Sequence, residues 1–445
     1  MPSRNGEKNT FRFYETTIMM KSMAEKYPEI KSYVGLGVEN PSYRATIVLS
    51  ENIVMGMIIT ESGESFFKSF DLYADKNILQ IEKELNEEIE FNCNIIESTG
   101  TVTRDATDFP DCMGVDDPCN PVGSELVTYR FAGIVTEDVN NTQADSTVEG
   151  GLTWLVGMIN QANLITIRDF GFQLQIINNN DLIIFTNENP GPEEFKQDCG
   201  DPWSTIGCEL GEVEAILDSL IGPGGWNAED AVRVWDYGAL FDEGYPGGLA
   251  YCPGATSANL PSFYIFIHET GHNFGSPHNA VTENGIRSSI GGSIMHWSLY
   301  NTGSMFSTHS IEWAMNYRNT LGPYGNSDYI SGYETEQTNN IIPDVVVQES
   351  GFIIPKETPF VLEGYSSPMY SEYTFNWESN ESSDLQYWTD FNEPELPYFP
   401  PNQGSLFTPV SPTTDGYKRT FPDMNSLLDN EYETTVPSPY TGDIL

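Results

Sequence analysis

The sequence predicts an α/β domain preceded by a smaller α+β unit and followed by an all-β unit of the sandwich type. At 445 residues the chain is longer than one average domain, since domains usually hold about 100–200 residues. It is 39% hydrophobic and 12% aromatic, which is enough to form buried cores. Between residues 126 and 325 predicted strands alternate with predicted helices, which is typical of α/β architecture. We therefore predict units at 1–105, 126–325 and 326–445, with a linker at 106–125 between the first and the second.

The N-terminal unit is predicted to combine short strands with a charged helical segment. Apolar residues alternate at Arg44–Leu49 and at Ile53–Ile59, and alternation is typical of half-buried strands. The stretch Asp105–Gly123 is rich in Asp, Pro and Gly, which favours a linker over a packed element.

The central unit begins its first helix at a predicted capping box, Ser146 to Glu149, whose polar side chains can satisfy first-turn amides. A second helix is predicted near Glu209–Ile221, and a histidine-rich helix and a closing helix near Thr308–Leu321 follow. The predicted strands, in chain order, are Val127–Thr136, Phe172–Ile176, Leu182–Phe185, Val232–Trp235 and Gly248–Tyr251.

After residue 325 the sequence becomes strand-like and rich in proline. Phe352–Pro368 and the following YTFNWES combine apolar, aromatic and turn-forming residues. This composition predicts a small immunoglobulin-like or fibronectin-like sandwich.

The charge of the chain makes two classes of partner poor candidates. The chain has 20 Lys+Arg and 65 Asp+Glu, a formal net charge of −45. Such a surface repels nucleic acid and anionic membranes, whereas salt water screens its self-repulsion. The acidic stretches Asp105–Asp117 and Glu188–Asp201 could bind calcium, although solvated surface is the more common role of such clusters.

The cysteine content is compatible with an exported protein. An even number of cysteines predicts two or three disulfides and leaves their pairing open. The six are Cys93, Cys112, Cys119, Cys199, Cys208 and Cys252. No apolar stretch approaches about 18 residues, so no membrane-spanning helix is expected. The first residues lack the apolar core of a signal peptide, and we expect a secreted monomer whose natural ends lie beyond both ends of this sequence.

The strongest functional signal is Phe263–Asn279, which reads FYIFIHETGHNFGSPHN. Three of the five histidines of the chain lie in it: His268, His272 and His278. Residues four apart share one face of a helix, so His268 and His272 can point at one metal ion. Gly275 favours the left-handed conformation that ends a helix, and the resulting turn can bring His278 back as a third ligand.

This arrangement predicts one catalytic zinc ion. Three histidine ligands leave a zinc ion with an open fourth position, which is typical of catalytic rather than structural sites. Glu269 lies one step around the helix from His268, so it can reach a bound water rather than the metal. A helix with incidental histidines is the plainer alternative, but two further histidines at these spacings would arise by chance roughly once in ten thousand cases.

The motif HETGHNFGSPH resembles that of the metzincin metallopeptidases. Met295, in GGSIMHW, is similar in context and spacing to the Met-turn of that family, where the methionine packs beneath the metal. The resemblance implies an α/β catalytic domain with a mixed sheet, an active-site helix and a Met-turn.

Within the metzincins, the motif is most similar to the reprolysin or adamalysin branch, which also favours Asn after the second histidine, here Asn273. Two positions depart from the wider family. Asn279 stands where adamalysins usually have Asp, and Trp297 stands where astacins and serralysins have a zinc-binding Tyr, so no tyrosine ligand is expected. Met23–Ser42 and Arg419–Leu428 are similar to the propeptide and the β-rich C-terminal segment of secreted bacterial peptidases of this type.

The resemblance implies a secreted zinc-dependent endopeptidase that is made as a latent zymogen and cleaves extracellular proteins or peptides. In such enzymes the glutamate at the position of Glu269 is the general base for a water molecule bound to zinc. Adamalysin-like enzymes bind substrate along an edge strand, and the order of elements assigns that strand to Gly248, Leu249 and Ala250.

Several alternatives stay open. Cys112, in FPDCMGVDD, resembles a cysteine switch, in which a propeptide thiolate occupies the open position on zinc; a disulfide to Cys119 or Cys93 is the other interpretation. A catalytically inactive metzincin-fold adhesin or binding protein is one rival function, against which the intact Glu269 argues. An aminopeptidase-type enzyme with a glutamate as third ligand is another, which His278 disfavours.

Overall fold

The described part of the chain has a mixed α/β structure with three β-sheets, which confirms the coarse fold class. The computed structural model describes residues 8–60, 63–70, 80–82, 92–97, 123–192, 206–225, 228–244, 247–276, 293–295, 304–319, 330, 332–340, 344–347, 353, 358–367, 373–377 and 412–421.

The N-terminal sheet is an antiparallel meander whose strands follow chain order. The elements are β1 (Phe11–Thr16), α1 (Lys21–Lys26), β2 (Lys31–Gly37), β3 (Arg44–Leu49), β4 (Ile53–Thr60), β5 (Gly63–Phe70) and β6 (Gln80–Glu82). The strands predicted at Arg44–Leu49 and Ile53–Ile59 are confirmed as β3 and β4, which pair with each other, but their burial does not alternate strictly.

The second sheet is mixed and supports the candidate site. Its strands are β7 (Asn92–Glu97), β8 (Glu125–Val135), β9 (Phe172–Ile176), β10 (Tyr237–Phe241), β11 (Gly247–Cys252), β12 (Thr256–Asn259) and β13 (Glu334–Gln337). Strands β9, β8, β10 and β12 are parallel neighbours. Strand β11 is antiparallel to β12, and β7 pairs with the other side of β11 in the parallel direction.

The helices that accompany this sheet are α2 (Glu137–Gln143), α3 (Val148–Asp169), α4 (Ile206–Leu220), α5 (Phe263–Asn273) and α6 (Thr308–Asn319). The helices predicted near Glu209–Ile221 and Thr308–Leu321 correspond to α4 and α6. Helix α5 lies against β11 and β12, the part of the sheet where the strand direction reverses.

Helix α3 joins the first two sheets in one hydrophobic core. It is buried on nearly all sides, because β3 and β4 cover the face that is turned away from the second sheet. Met55 of β4 packs so close to Gly157 that a Cβ added there would lie 2.4 Å from the methionine sulfur. Asn160 Nδ2 donates to the Tyr33 carbonyl at 3.1 Å. The N-terminal unit is therefore packed into the same core as the central domain.

Three predicted elements are wrong in detail. The capping box fails because Ser146 has a φ of 65°, and Thr147 caps α3 instead by accepting the Gly150 amide at 2.9 Å. The predicted strand Leu182–Phe185 begins in a 3-10 helix, Asn180–Ile183. The predicted strand Val232–Trp235 is a series of turns, and the strand begins afterwards at Tyr237.

Two strands cross the predicted domain boundaries. β7 falls in the predicted 1–105 unit but pairs with β11, and β13 falls in the predicted 326–445 unit but pairs with β8. The pairing partners lie about 150 and 200 residues away in the sequence, which local patterns do not reveal.

The C-terminal sheet is antiparallel, with strands β14 (Asp344–Val347), β15 (Phe360–Ser367) and β16 (Lys418–Phe421). Trp377 Nε1 donates to the Tyr417 carbonyl at 3.3 Å, and Arg419 Nη1 donates to the Trp377 carbonyl at 3.0 Å. The described residues thus form one sheet of the predicted sandwich, and the sandwich itself stays a prediction.

Candidate metal centre

Helix α5 carries two of the predicted ligands and is buried along its whole length. Phe266 packs against Phe131 and Phe241 on the sheet, with ring centroids 5.6 and 5.2 Å apart. At the other end of the helix, Asn273 Nδ2 donates to the carbonyls of Tyr251 (3.3 Å) and Thr256 (3.0 Å). These contacts fix the helix to the sheet at both ends.

The turn after α5 has the conformation that the sequence predicts. Gly275 has a φ of 83°, its amide donates to the His272 carbonyl at 2.7 Å, and the Ser276 amide donates to the Gly271 carbonyl at 3.0 Å. These two bonds form a Schellman motif, for which glycine is the favoured residue. The turn brings the Ser276 carbonyl back over His272.

The two histidines converge on one point. His268 Nδ1 lies 2.7 Å from the Ile294 carbonyl, and His272 Nδ1 lies 2.8 Å from the Ser276 carbonyl. A carbonyl only accepts hydrogen bonds, so each Nδ1 carries the proton of its neutral ring. The two Nε2 atoms then present lone pairs, and they are 3.1 Å apart. Two lone pairs at that distance repel each other unless a metal ion or a shared proton lies between them.

Met295, the predicted Met-turn residue, packs against α5. The residue is fully buried, and a Cβ added to Gly271 would lie 2.4 Å from the Met295 sulfur and 2.8 Å from a Phe306 ring atom. Gly271 therefore allows the methionine to pack directly against the helix between the two histidines. The preceding carbonyl, that of Ile294, is the acceptor for His268.

A chain of hydrogen bonds holds that carbonyl in place. The Ile294 amide donates to the Met305 carbonyl at 2.8 Å. The residues on either side of Met305 bind the end of α3: the Phe306 amide donates to Asp169 Oδ2 at 2.9 Å, and Arg168 Nη2 donates to the Ser304 carbonyl at 2.6 Å. The orientation of His268 therefore depends on the far end of a different helix.

Glu269 is fully buried and lies against strand β11. A Cβ added to Gly248 would lie 2.3 Å from Glu269 Oε1 and 2.7 Å from its Cγ. The carboxyl group thus occupies the space that a side chain on this strand would fill. Gly248, Leu249 and Ala250 all lie in β11, next to the helix that carries the histidines.

The geometry of the histidine pair fits a zinc ion. Zn–N bonds of about 2.0–2.1 Å at a tetrahedral angle separate two nitrogens by about 3.3 Å, close to the observed 3.1 Å. Within the described residues, no group of three or more His, Cys, Asp or Glu side chains is arranged to hold a metal ion. The predicted third ligand, His278, lies outside the described residues.

Other predicted residues also lie outside the described part of the chain: Cys112, Cys119, Asn279, Trp297 and the acidic stretch Asp105–Asp117. The predicted substrate strand is described, but it is not an edge in this chain. Strand β7 pairs with it from Gly247↔Asn92 to Cys252↔Glu97. β11 becomes an edge only if β7 leaves.

Three features of the centre were not predicted from the sequence. Two are the carbonyls of Ile294 and Ser276, which accept hydrogen bonds from the histidine rings, and the third is the close packing of Met295 that Gly271 allows. Backbone acceptors leave no trace in residue identity, because every residue has a carbonyl. Gly271 did carry a signal, since a glycine inside a helix costs stability and often indicates close packing.

Comparison with known proteins gives little further support. No protein-family profile and no curated protein matches the sequence. Among solved structures, metalloproteinase-II from Bacteroides fragilis is similar over 64% of this chain and 81% of its own, at 13% identity and a TM-score of 0.34. Among the described residues, no helix is long and apolar enough to cross a membrane.

Proposed function

We propose that this chain is a zinc-dependent endopeptidase. The observation that carries the proposal is the convergence of His268 Nε2 and His272 Nε2 at 3.1 Å, with both rings oriented by backbone carbonyls. Glu269 follows His268 directly and lies between the helix and β11. His268 and His272 would hold the metal, with His278 as the third ligand.

A bound zinc ion would supply a Lewis acid that polarises a peptide carbonyl and lowers the pKa of water. The residues of the chain supply proton transfer and orientation. Glu269 accepts a proton from the attacking water and passes it to the leaving amine. Its buried position beside β11 keeps bulk water away from this transfer.

Strand β11 is proposed to orient the substrate. An extended peptide that pairs with β11 gains main-chain hydrogen bonds, and its scissile bond then lies near Glu269, whose carboxyl group already contacts the strand at Gly248. Backbone pairing makes no demand on side chains, so this strand fits protein substrates of varied sequence. The acidic, cysteine-containing composition supports secretion and extracellular substrates.

The test is cleavage of a peptide library by the zinc-loaded chain after proteolytic processing, with the metal content of the same sample measured. We expect internal peptide bonds to be cut, activity to disappear with a chelator, and zinc to restore it. Stoichiometric zinc without cleavage of any peptide would favour the inactive binding protein. Release of single N-terminal residues only would favour an aminopeptidase.

We further propose that the unprocessed chain is latent because β7 occupies the substrate strand. β7 pairs with all six residues of β11, so no peptide can pair with that side of β11 while β7 is present. The N-terminal unit also contacts the beginning of α5, where Tyr264 OH donates to Glu64 Oε2 at 3.3 Å and the rings of Phe66 and Phe263 lie 5.4 Å apart. These contacts hold the N-terminal unit close to the candidate site.

Proline substitution of β7 tests this latency. Successive amides of a strand point to opposite sides, so the pair Asn94→Pro and Ile95→Pro removes at least one donor to β11. We expect the substituted full chain to cleave peptides without processing, at least tenfold faster than the unsubstituted full chain. The measurement is initial rate on one fluorogenic peptide.

Two controls complete that test. The same pair of prolines at Val345 and Val346 in β14 disturbs a strand of the C-terminal sheet and is expected to leave latency intact. Cys112→Ser tests the cysteine switch. Activation by Cys112→Ser, with no activation by the β7 prolines, would assign latency to the thiol instead.

A further inference from the structure

We infer that Gly248 is a positioning residue for Glu269, because its missing side chain sets where the glutamate carboxyl group lies. The inference rests on the proposed function, since it assigns Glu269 the task of proton transfer. A Cβ at position 248 would lie 2.3 Å from Glu269 Oε1 and 2.7 Å from Glu269 Cγ. Ordinary van der Waals contact begins near 3.4 Å, so the carboxyl group would have to move by about 1 Å.

The backbone conformation does not explain the glycine. Gly248 is not among the described residues with positive φ, so other residues can adopt its conformation. It lies inside a regular strand, where glycine is unfavourable because it adds backbone entropy and no packing. Close approach of other groups is the remaining physical reason, and the closest atom is Oε1 of the Glu269 carboxyl group.

Neither the strand nor the helix can easily retreat. Gly248 pairs with Asn259 of β12, and this pairing holds β11 to the sheet whether or not β7 is in place; in the unprocessed chain Cys93 of β7 also holds its other side. Helix α5 is fixed by the Phe266 ring contacts and by the Asn273 hydrogen bonds. A methyl group at position 248 would therefore displace the side chain of Glu269 rather than either backbone.

One other group lies in the same space. The added Cβ would also lie 2.7 Å from Ile265 Cγ2, one helical turn before Glu269. A collision with Ile265 would disturb packing, whereas a collision with Glu269 would disturb proton transfer. The two contacts therefore predict different results when Gly248→Ala is combined with truncation of Glu269 or of Ile265.

The first experiment separates kcat from KM. In the full chain carrying the two β7 prolines and loaded with zinc, Gly248→Ala is expected to lower kcat about 100-fold, the effect of a misplacement of about 1 Å. KM is expected to change less than twofold, since backbone pairing along β11 does not need the missing side chain. Gly211→Ala is the matched control, because a Cβ there meets nothing within 4 Å, and it should leave both constants unchanged.

The second experiment needs no activity and no metal. Thermal unfolding of the metal-free full chain is measured for Gly248→Ala alone, for Gly248→Ala combined with Glu269→Ala, and for Gly248→Ala combined with Ile265→Ala. We expect Gly248→Ala to lower the Tm by several degrees in the unsubstituted chain and by less than half as much once Glu269 is truncated. Ile265→Ala should relieve the loss only in part and should not restore kcat.

The outcomes separate the two proposals. If the zinc-loaded chain with glycine at 248 cleaves no peptide either with the β7 prolines or after proteolytic processing, the proposed function fails, and the unfolding cycle alone decides whether Gly248 makes room for Glu269. If that chain cleaves peptides and Gly248→Ala keeps its kcat, or raises only KM, the positioning role is overturned. A Tm loss that is the same with and without Glu269 would overturn it as well.

Discussion

Replacing Glu269 with glutamine is expected to lower kcat by about 10²–10⁴-fold while zinc content stays at one ion per chain. Glutamine has nearly the same shape, so it fits the space beside Gly248, but it cannot accept the proton of the attacking water. The metal stays because the proposed ligands are the histidines, whose Nδ1 atoms remain bonded to backbone carbonyls. The measurements are steady-state kinetics and metal analysis on one sample.

Glu188→Gln is the matched control for this substitution, because it removes one carboxylate from an exposed position. It should change kcat by less than twofold. A zinc-loaded Glu269→Gln chain with full activity would remove the general-base role. Loss of zinc together with activity would instead indicate that Glu269 binds the metal.

Replacing Phe274 with alanine is expected to destabilise the chain by about 3–5 kcal/mol, a large part of the usual 5–15 kcal/mol. Phe274 is fully buried at the end of α5, and its ring centroid lies 4.0 Å from that of Phe172, 4.6 Å from that of Tyr237 and 5.3 Å from that of Tyr129. Truncation leaves a cavity among several rings. Burial among these rings raises the pKa of Tyr237, and the neighbouring Tyr317 and Tyr129 raise it further. The Tyr237 phenol therefore stays neutral.

The expected decrease in Tm for Phe274→Ala is about 6–20 °C for a domain of this size. Tyr14→Ala is the control, because Tyr14 is 50% exposed and its loss should cost less than about 0.5 kcal/mol. Phe274 also precedes the turn that brings the Ser276 carbonyl to His272. We therefore expect weaker zinc binding as well, by about 10–100-fold. An unchanged Tm would contradict the packing described for this end of α5.

The local backbone that carries the candidate ligands could be predicted from the sequence. The spacing of His268 and His272 and the glycine at position 275 are both read within one helix and its turn, and the structure has the helix and the turn where they were expected. Strand β11 was also predicted within one residue at each end. Local patterns of this kind depend on the helical repeat and on φ, which neighbouring residues determine.

The parts that depend on distant pairing were not predicted. The short strand β12, which lies between β10 and β11, has no clear alternation, and β7 reaches β11 across about 150 residues. The burial of both faces of α3 was missed because the covering sheet comes from another predicted unit. Such contacts depend on which surfaces meet in the folded chain, and local residue patterns do not reveal that.

The most direct test of the metal centre is a crystal structure of the zinc-loaded full chain with an anomalous difference map at the zinc absorption edge. We predict one strong peak about 2.0–2.1 Å from both His268 Nε2 and His272 Nε2, with a third nitrogen from His278 at the same distance. A map without a peak between the two histidines, in a sample that retains zinc, would contradict the account.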